Sequence, residues 1–271
     1  MNDKERADTS LVRRGLAASR EKAQALIMAG EVYTGERKIN KPSETVRPED
    51  ELTIRSSSLK YVSRGAHKLE KAVRVFQADL KDRVVMDIGA STGGFTDICL
   101  RNGAKRVYAI DVGYGQLDWN LRNDPRVTVM ERTNARYLSR DLFDPLPEIA
   151  VMDVSFISIR LILAAAFTVM GEKGILYSLI KPQFEAGRDK IGKNGVVRSA
   201  ETHEEVLRNI ILFTESAGLH VRALDYSPIT GPEGNIEFLS EIRTHKPGDI
   251  PLDDNIIAHV VREAHLNLLH E

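Results

Sequence analysis

Two lysines and two carboxylic acids stand in this chain where folding could bring them together for chemistry on a hydroxyl group. They are Lys68, Asp153, Lys181 and Glu237. Lys181 ends a run that otherwise looks like a buried strand, and a buried charge usually has a partner or a task. One lysine can accept a hydroxyl proton if burial and a second lysine lower its pKa, while the acids orient both amines. We therefore predict a site that activates a hydroxyl nucleophile; each residue taken singly could equally belong to an ordinary surface ion pair.

A glycine-rich turn follows the β-prone run Val84–Ile88 and predicts the first ligand crevice of a parallel α/β sheet. The glycines do not follow the dinucleotide spacing G-x-G-x-x-G, and Asp87 stands at the end of the strand. Such an acid would repel a pyrophosphate but attract the ammonium and sulfonium of S-adenosylmethionine. We predict that this cofactor is bound by Asp87, Gly89, Ala90, Ser91, Gly93 and Gly94. The alternative is a plain strand–turn–helix corner.

The elements that must position these residues repeat one pattern, a β-prone run ending in a polar residue. Asp111 ends the second run, where such folds place a carboxylate on the cofactor ribose, and Asn134 follows the third, where an adenine edge could be recognised. Asp153 ends the fourth run and is also expected beside the cofactor. We predict an α/β, Rossmann-like fold with a seven-stranded, mostly parallel sheet whose last strand is antiparallel.

The first part of the chain predicts a small α+β unit with two short helices, at 11–16 and 20–29, followed by short strands. Its helices carry basic residues opposite their apolar faces: Arg13, Arg14, Arg20 and Lys22. This pattern resembles the S-four-type RNA-binding module, although a basic helix face can also be merely solvated. A serine-rich break at Ser56 to Ser58 separates the predicted domains, 1–57 and 58–271. Arg64, just after the break, is a further candidate RNA contact.

Bulk composition limits the possible classes of protein. The chain has 271 residues, 42% of them hydrophobic, a net charge of −1 and a single cysteine, Cys99. An intramolecular disulfide is impossible, the charged start does not resemble a secretion signal, and no apolar stretch is long enough for a bilayer crossing. We expect a cytoplasmic protein in which nucleic-acid binding, if present, comes from local patches.

Six motifs, in order, resemble the TlyA (haemolysin A) family, which is similar to FtsJ-type ribose 2′-O-methyltransferases with an N-terminal S-four-type domain. The motifs are Ser63–Leu69, Asp87–Asp97, Asp111–Leu117, Asp153–Ser158, Ile180–Glu185 and Gly231–Glu237. The resemblance implies a catalytic tetrad of Lys68, Asp153, Lys181 and Glu237. It also implies the 2′-hydroxyl of a cytidine in ribosomal RNA, on ribosomal subunits, as substrate. We expect S-adenosylmethionine as the cofactor and no metal.

Three other functions remain open from the sequence. A pore former would fit the older family name, but it needs a membrane-length or strongly amphipathic basic segment. A base methyltransferase typically has Asn/Asp-Pro-Pro-aromatic where this chain has Asp153-Val154-Ser155-Phe156, or needs a cysteine nucleophile. Cys99 lies on the helix after the glycine turn, so we interpret it as structural. A non-catalytic RNA-binding protein with an inactive cofactor fold is the third.

Overall fold

The computed structural model describes residues 4–17, 19–28, 32–35, 37–54, 61–192 and 195–269, without the side chains of Ala25 and Arg188. The chain divides into two units, residues 1–60 and residues 61–271. The domain boundary expected between residues 57 and 58 lies outside the described residues.

The N-terminal unit is the predicted α+β unit. Its elements are β1 (Glu5–Arg6), α1 (Ala7–Arg13), α2 (Arg20–Met28), β2 (Val32–Thr34), β3 (Arg37–Lys38), β4 (Thr45–Val46) and β5 (Leu52–Ile54). Strands β3, β2 and β5 form an antiparallel sheet in that order, and β1 pairs with β4. Leu11, Ile27 and Ile39 are almost completely buried in its core. The β1–β4 pair was not predicted, because two-residue strands carry no periodicity that a sequence pattern can show.

The C-terminal unit alternates strands and helices. Its elements are α3 (Ala66–Phe76), β6 (Val84–Ile88), α4 (Gly94–Arg101), β7 (Arg106–Ile110), α5 (Trp119–Arg122), β8 (Val127–Met130), β9 (Ile149–Met152), α6 (Arg160–Met170), β10 (Ile175–Ile180), α7 (Pro182–Glu185), α8 (Ala200–Ser216), β11 (Leu219–Tyr226), β12 (Phe238–Thr244) and α9 (Asp254–Leu268).

Seven strands form one sheet in the order β11-β12-β10-β9-β6-β7-β8. Strands β10, β9, β6, β7 and β8 pair in parallel, whereas β12 lies antiparallel between β10 and β11. Every residue of β6 and β9 is buried, as expected for central parallel strands covered by helices on both faces. The prediction of a Rossmann-like sheet with an antiparallel last strand is therefore confirmed.

Two helical layers bury the faces of this sheet. Side chains of α3, α4 and α5 pack on one face, and those of α6, α8 and α9 pack on the other. The residues after 244 are mostly polar and show only a weak helical pattern in the sequence. Instead, α9 has 15 residues, begins where the Asp253 side chain accepts a hydrogen bond from the Ile256 N–H, and buries Ile257 and Val261. Burial of one apolar stripe stabilises a helix whose overall composition is polar.

Candidate active site

The sheet brings three of the four predicted reacting residues to one edge. Asp153 directly follows β9 and Lys181 directly follows β10; because these strands are parallel neighbours, both side chains start from the carboxyl edge. Strand β12 runs in the opposite direction with Phe238 paired to Ile180, so Glu237, one residue earlier, stands at the same edge. Lys68 comes from the first turn of α3, on the face of that helix that is buried against the sheet.

The four side chains form one ion-paired array. Lys68 Nζ lies 2.6 Å from Glu237 Oε2 and 3.4 Å from Asp153 Oδ2. Lys181 Nζ lies 2.5 Å from Asp153 Oδ1 and 4.0 Å from Glu237 Oε1. All four are largely buried, Glu237 most completely with 1% of its side chain exposed. Charges so far removed from water require such pairing, because an isolated buried charge is strongly unfavourable.

The two lysines differ in their surroundings. Burial alone would lower the pKa of Lys68, but the adjacent carboxylates of Asp153 and Glu237 outweigh burial and raise it. Lys68 is therefore the cation that stays charged, and it is not the lysine expected to accept a proton. Among the described residues, Lys181 has one carboxylate oxygen within 3.5 Å, and its amine donates a hydrogen bond of 2.9 Å to the Ser155 hydroxyl.

Two aromatic residues that the sequence analysis did not select lie beside this array. Phe156 is 92% exposed and has φ +64°, a left-handed conformation that is strained for a bulky residue. Its ring centroid lies 5.2 Å from that of Phe184. Ser155 and Phe156 directly follow Asp153, and Phe184 follows Lys181 by three positions, so adjacency to the charged residues was the available signal.

One cavity of about 670 Å³ connects the ion-paired array to the glycine turn. Its lining includes all four charged residues together with Arg64, Phe156, Phe184 and the turn residues Gly89, Ala90, Ser91 and Gly94. Its volume lies within the range of roughly 300–1,000 Å³ typical of small-molecule sites. Gly89 has φ +86°, and a Cβ there would lie 2.6 Å from the Asp153 carbonyl oxygen, so the turn requires glycine.

Asp87 lies beneath this turn rather than in the cavity lining. Its side chain is fully buried, and one oxygen accepts a 2.6 Å hydrogen bond from the Thr96 hydroxyl, which joins β6 to α4. Its other oxygen has no partner among the described residues. Burial raises the pKa of Asp87 to about 7, and the nearby Asp153 and Asp111 carboxylates add to the effect of burial.

The other predicted cofactor residues shape the surroundings of the turn. Asp111 accepts hydrogen bonds from the N–H groups of Ser91 at 2.8 Å and Gly113 at 2.7 Å. Gly93 has φ +97° and packs against Leu121, so a larger side chain would clash there. Asn134 is exposed, and its side-chain oxygen accepts a hydrogen bond from the Arg136 N–H. Of the predicted set, Asp87, Gly93, Asp111 and Asn134 do not line the cavity.

In the N-terminal unit, two of the predicted RNA contacts have structural partners. Arg20 pairs at 3.0 Å with Asp8, whose buried carboxylate also accepts from Arg6 and Gln24. These hydrogen bonds lower the pKa of Asp8, and the one from Arg6 has the largest effect. Arg14 donates to the carbonyl oxygens of Arg47 and Pro48, at 2.9 and 3.3 Å.

The remaining two predicted RNA contacts are Arg13 and Lys22. Arg13 forms an exposed ion pair with Glu5, and Lys22 is exposed. Arg20 is tied to the fully buried Asp8 and Arg14 to backbone carbonyls, whereas release of Arg13 from Glu5 leaves no buried charge unpaired, so Arg13 and Lys22 are freer to contact a phosphate. Throughout the part of the chain that the structure describes, no helix combines the length and apolar character that a bilayer crossing requires.

Both units match known protein families. The model of the FtsJ-like methyltransferase family matches residues 61–243, and that of the S4 domain matches residues 5–52. A Bacillus subtilis protein, YqxC, described as a candidate rRNA methyltransferase, is 50% identical over 270 residues, which cover 98% of this chain and 95% of its own. The 16S/23S rRNA (cytidine-2′-O)-methyltransferase TlyA of Mycobacterium tuberculosis is 42% identical over 240 residues, covering 88% of this chain and 90% of its own.

A solved structure of a candidate hemolysin from Streptococcus thermophilus is 46% identical, covers 98% of both chains and superposes with a TM-score of 0.75. The resemblance inferred from the six motifs is thereby confirmed. The cavity, the sheet order and the family match agree: the chain belongs to the FtsJ-like methyltransferase family and carries an S4 domain at its N-terminus.

Proposed function

We propose that this protein methylates a ribose 2′-hydroxyl of ribosomal RNA, on a cytidine, with S-adenosylmethionine as methyl donor. The observation that carries the proposal is the buried array of two lysines and two carboxylates at one end of a cavity whose other end is the glycine turn. The relative named as a 16S/23S rRNA (cytidine-2′-O)-methyltransferase supports this choice of nucleoside and RNA.

The residues around the turn fit a cationic cofactor. Asp153 lines the cavity beside the turn, Asp111 accepts from the N–H groups of Ser91 and Gly113 next to it, and one oxygen of the buried Asp87 lacks a donor among the described residues. The backbone of Gly89 to Gly94 would hold the cofactor, and Asp111 would bind its ribose. When bound, S-adenosylmethionine supplies a methyl group on a sulfonium, which becomes a neutral thioether once an oxygen takes the methyl group.

Lys181 is the residue proposed to receive the 2′-hydroxyl proton. Its amine already contacts one hydroxyl, that of Ser155, and it has fewer close carboxylates than Lys68. Lys68 stays protonated and holds Glu237 and Asp153 in place, so that Asp153 can orient Lys181. In this arrangement the protein contributes alignment and removal of one proton, which are the main requirements of an in-line transfer.

The exposed aromatic pair supports a nucleotide substrate. Phe156 and Phe184 present ring surfaces in the same cavity as the charged array, and unpaired bases in RNA are commonly recognised by stacking on aromatic side chains. We propose that residues 1–57 form an RNA-binding domain, with Arg13 and Lys22 as phosphate contacts, and that residues 58–271 form the catalytic domain. A ribosomal substrate implies a cytoplasmic location.

Ribose methylation of ribosomal RNA in cells with and without the gene tests the proposal. We expect at least one cytidine 2′-O-methyl group to disappear without the gene and to return when the gene is restored, but not when Lys181→Ala is supplied. Purified protein should methylate the same position in subunits from the deleted strain. If every methylated ribose persists without the gene, the proposal is wrong. Vesicle leakage caused by the purified protein alone would instead favour the pore former.

A further inference from the structure

A second cluster of ionisable residues lies outside the proposed active site. It consists of Glu215 in the last turn of α8, His220 near the start of β11 and His245 directly after β12. His220 Nδ1 lies 2.7 Å from Glu215 Oε1, and His245 Nδ1 lies 3.1 Å from Glu215 Oε2. One donor atom from each residue lies within 4.8 Å of the others.

The topology places this cluster at the opposite edge of the sheet from Lys181. Strand β12 runs antiparallel to β10, so it begins beside Lys181 and ends where the parallel strands begin. Strand β11 is antiparallel to β12 and therefore starts at that same edge, with His220 paired to Arg243. The His245 N–H donates to the Gly218 carbonyl oxygen at 3.0 Å, which fixes the backbone between the two histidines.

The three side chains are held in place yet reachable from solvent. The exposed fraction is 5% for the His220 side chain, 20% for Glu215 and 40% for His245. His220 is therefore constrained by packing, and His245 closes the cluster from outside. A preformed, partly open arrangement of donor atoms is what an ion can enter without rearranging the fold.

We propose that Glu215, His220 and His245 bind one zinc ion. Two imidazoles and a carboxylate are a common zinc donor set, with a water in the fourth position. Ligand atoms about 2.0–2.1 Å from a tetrahedral zinc are about 3.3 Å apart. The two His–Glu contacts, at 2.7 and 3.1 Å, are close to that spacing, and one donor atom from each residue lies within 4.8 Å of the others. Coordination through Nδ1 requires each imidazole to carry its proton on Nε2, because a protonated ring nitrogen has no lone pair for the metal.

The bound ion links three elements of the fold. It joins the end of α8 to the start of β11 and to His245, which directly follows β12; Glu237 directly precedes the same strand at its other end. Zinc should therefore raise the melting temperature of the whole chain in a concentration-dependent way, because a ligand that binds only the folded state stabilises it. The sequence alone gave no reason to expect a metal, because the three residues are not arranged in a short motif.

The proposal is tested by measuring zinc binding to the untagged full chain, after the protein has been dialysed against a chelator. Titration of zinc against a chromophoric competitor should show one equivalent bound, and cobalt(II) should give the visible absorption of a tetrahedral site. His245→Ala and Glu215→Gln should each weaken zinc binding at least about tenfold. His259→Ala, which removes an exposed histidine of α9, is the matched control and should leave binding unchanged.

Two outcomes would overturn the proposal. One is a parental protein that binds zinc no more tightly than His245→Ala. The other is an equal loss of affinity in His259→Ala. In either case the cluster is only a hydrogen-bonded His–Glu–His chain. Because His245 is 40% exposed, its replacement should leave the fold intact, and circular dichroism of the variant checks this.

Discussion

Lys68 and Lys181 are chemically identical residues that the site holds in different surroundings. Lys68 has carboxylate oxygens at 2.6 and 3.4 Å, whereas Lys181 has one at 2.5 Å and a hydroxyl at 2.9 Å. We therefore expect Lys181→Ala to lower the rate of methyl transfer by about 10²–10⁴-fold or more, the usual contribution of a proton-transferring group. Affinity for S-adenosylmethionine should be nearly unchanged, which calorimetry can check alongside single-turnover rates.

Lys181→Arg is the informative companion variant. A guanidinium keeps the positive charge but does not release its proton, so this variant should be as inactive as Lys181→Ala. Near-parental turnover of Lys181→Arg would show that the residue acts only through its charge. The role of proton acceptor would then have to be abandoned.

Replacement of Asp111 tests its assignment as the residue that binds the cofactor ribose. Its oxygens already accept from two backbone N–H groups, but a carboxylate has further lone pairs for ribose hydroxyls. Asp111→Ala should weaken S-adenosylmethionine binding by roughly 1–3 kcal/mol, the typical cost of losing one partner of a charge-assisted hydrogen bond. The affinity of Asp111→Asn for S-adenosylmethionine should lie between that of the parent and that of Asp111→Ala. Equal affinity of all three proteins by calorimetry would place the ribose elsewhere.

The raised pKa of the Asp87 carboxyl group predicts that folding stability depends on pH. Burial raises its pKa from 3.8 to about 7, so between these values the folded protein holds a proton that the unfolded chain releases. Its contribution to stability therefore declines as pH rises from about 4 to 7, by up to about 1.4 kcal/mol per pH unit. Asp87→Asn has no such proton, so its stability relative to the parent should increase as pH rises towards 7 and then level off.

Urea unfolding of both proteins at pH 5, 6, 7 and 8, without cofactor, measures this difference. Other titrating groups are common to the two proteins and cancel. A constant difference across the series would mean that Asp87 is already ionised in the folded protein at pH 5.

At the scale of elements, the sequence predicts best those strands and helices whose local residue pattern already reflects their position in the fold. The β-prone runs ending in Asp111, Asp153 and Lys181 gave the central strands, because buried parallel strands consist of consecutive apolar residues. That Glu237 reaches Lys68, 169 positions away, depends on β12 lying antiparallel next to β10. No local pattern contains that pairing, and the motif resemblance supplied it instead.

The same reasoning explains the less successful predictions. Basic residues at helical spacing indicate a charged face, but the sequence does not show that Arg20 holds the buried Asp8 or that Arg14 holds backbone carbonyls. The strain at Phe156 is likewise a product of the folded backbone. Helix α9 was underestimated because its stability comes from packing on α8 and β11, not from its composition.

Two adjacent isoleucines of α9 test this packing. Ile257 is 1% exposed and Ile256 is 41% exposed, so the pair differs in burial but not in side-chain chemistry. Ile257→Ala should lower the free energy of unfolding by about 2–5 kcal/mol, the usual cost of truncating a buried isoleucine. Ile256→Ala should change it by less than about 0.5 kcal/mol. Similar losses in both variants, measured by urea unfolding, would show that α9 does not dock through this stripe.

At the scale of the whole molecule, a net charge of −1 gives no general attraction to RNA. Affinity for a polyanion must then come from particular surfaces, and the S4 domain is the one proposed here. Arg14 and Arg20 are unsuitable probes, because their replacement would also remove structural bonds within the N-terminal unit. Lys22 is exposed, and Arg13 has only an exposed ion pair with Glu5, which contributes little to stability.

Replacing Arg13 and Lys22 together by alanine should weaken binding to ribosomal subunits and lower the slope of log K against log salt by about one for each lost phosphate contact. Cofactor affinity should not change. Lys105 and Lys173 provide a charge-matched control, because both are exposed just before β7 and β10, at the sheet edge opposite Lys181. Their double alanine variant should keep the parental slope. If the Arg13 and Lys22 variant keeps that slope as well, or if both variants lose it equally, this helix face is only a solvated surface and the RNA is bound elsewhere.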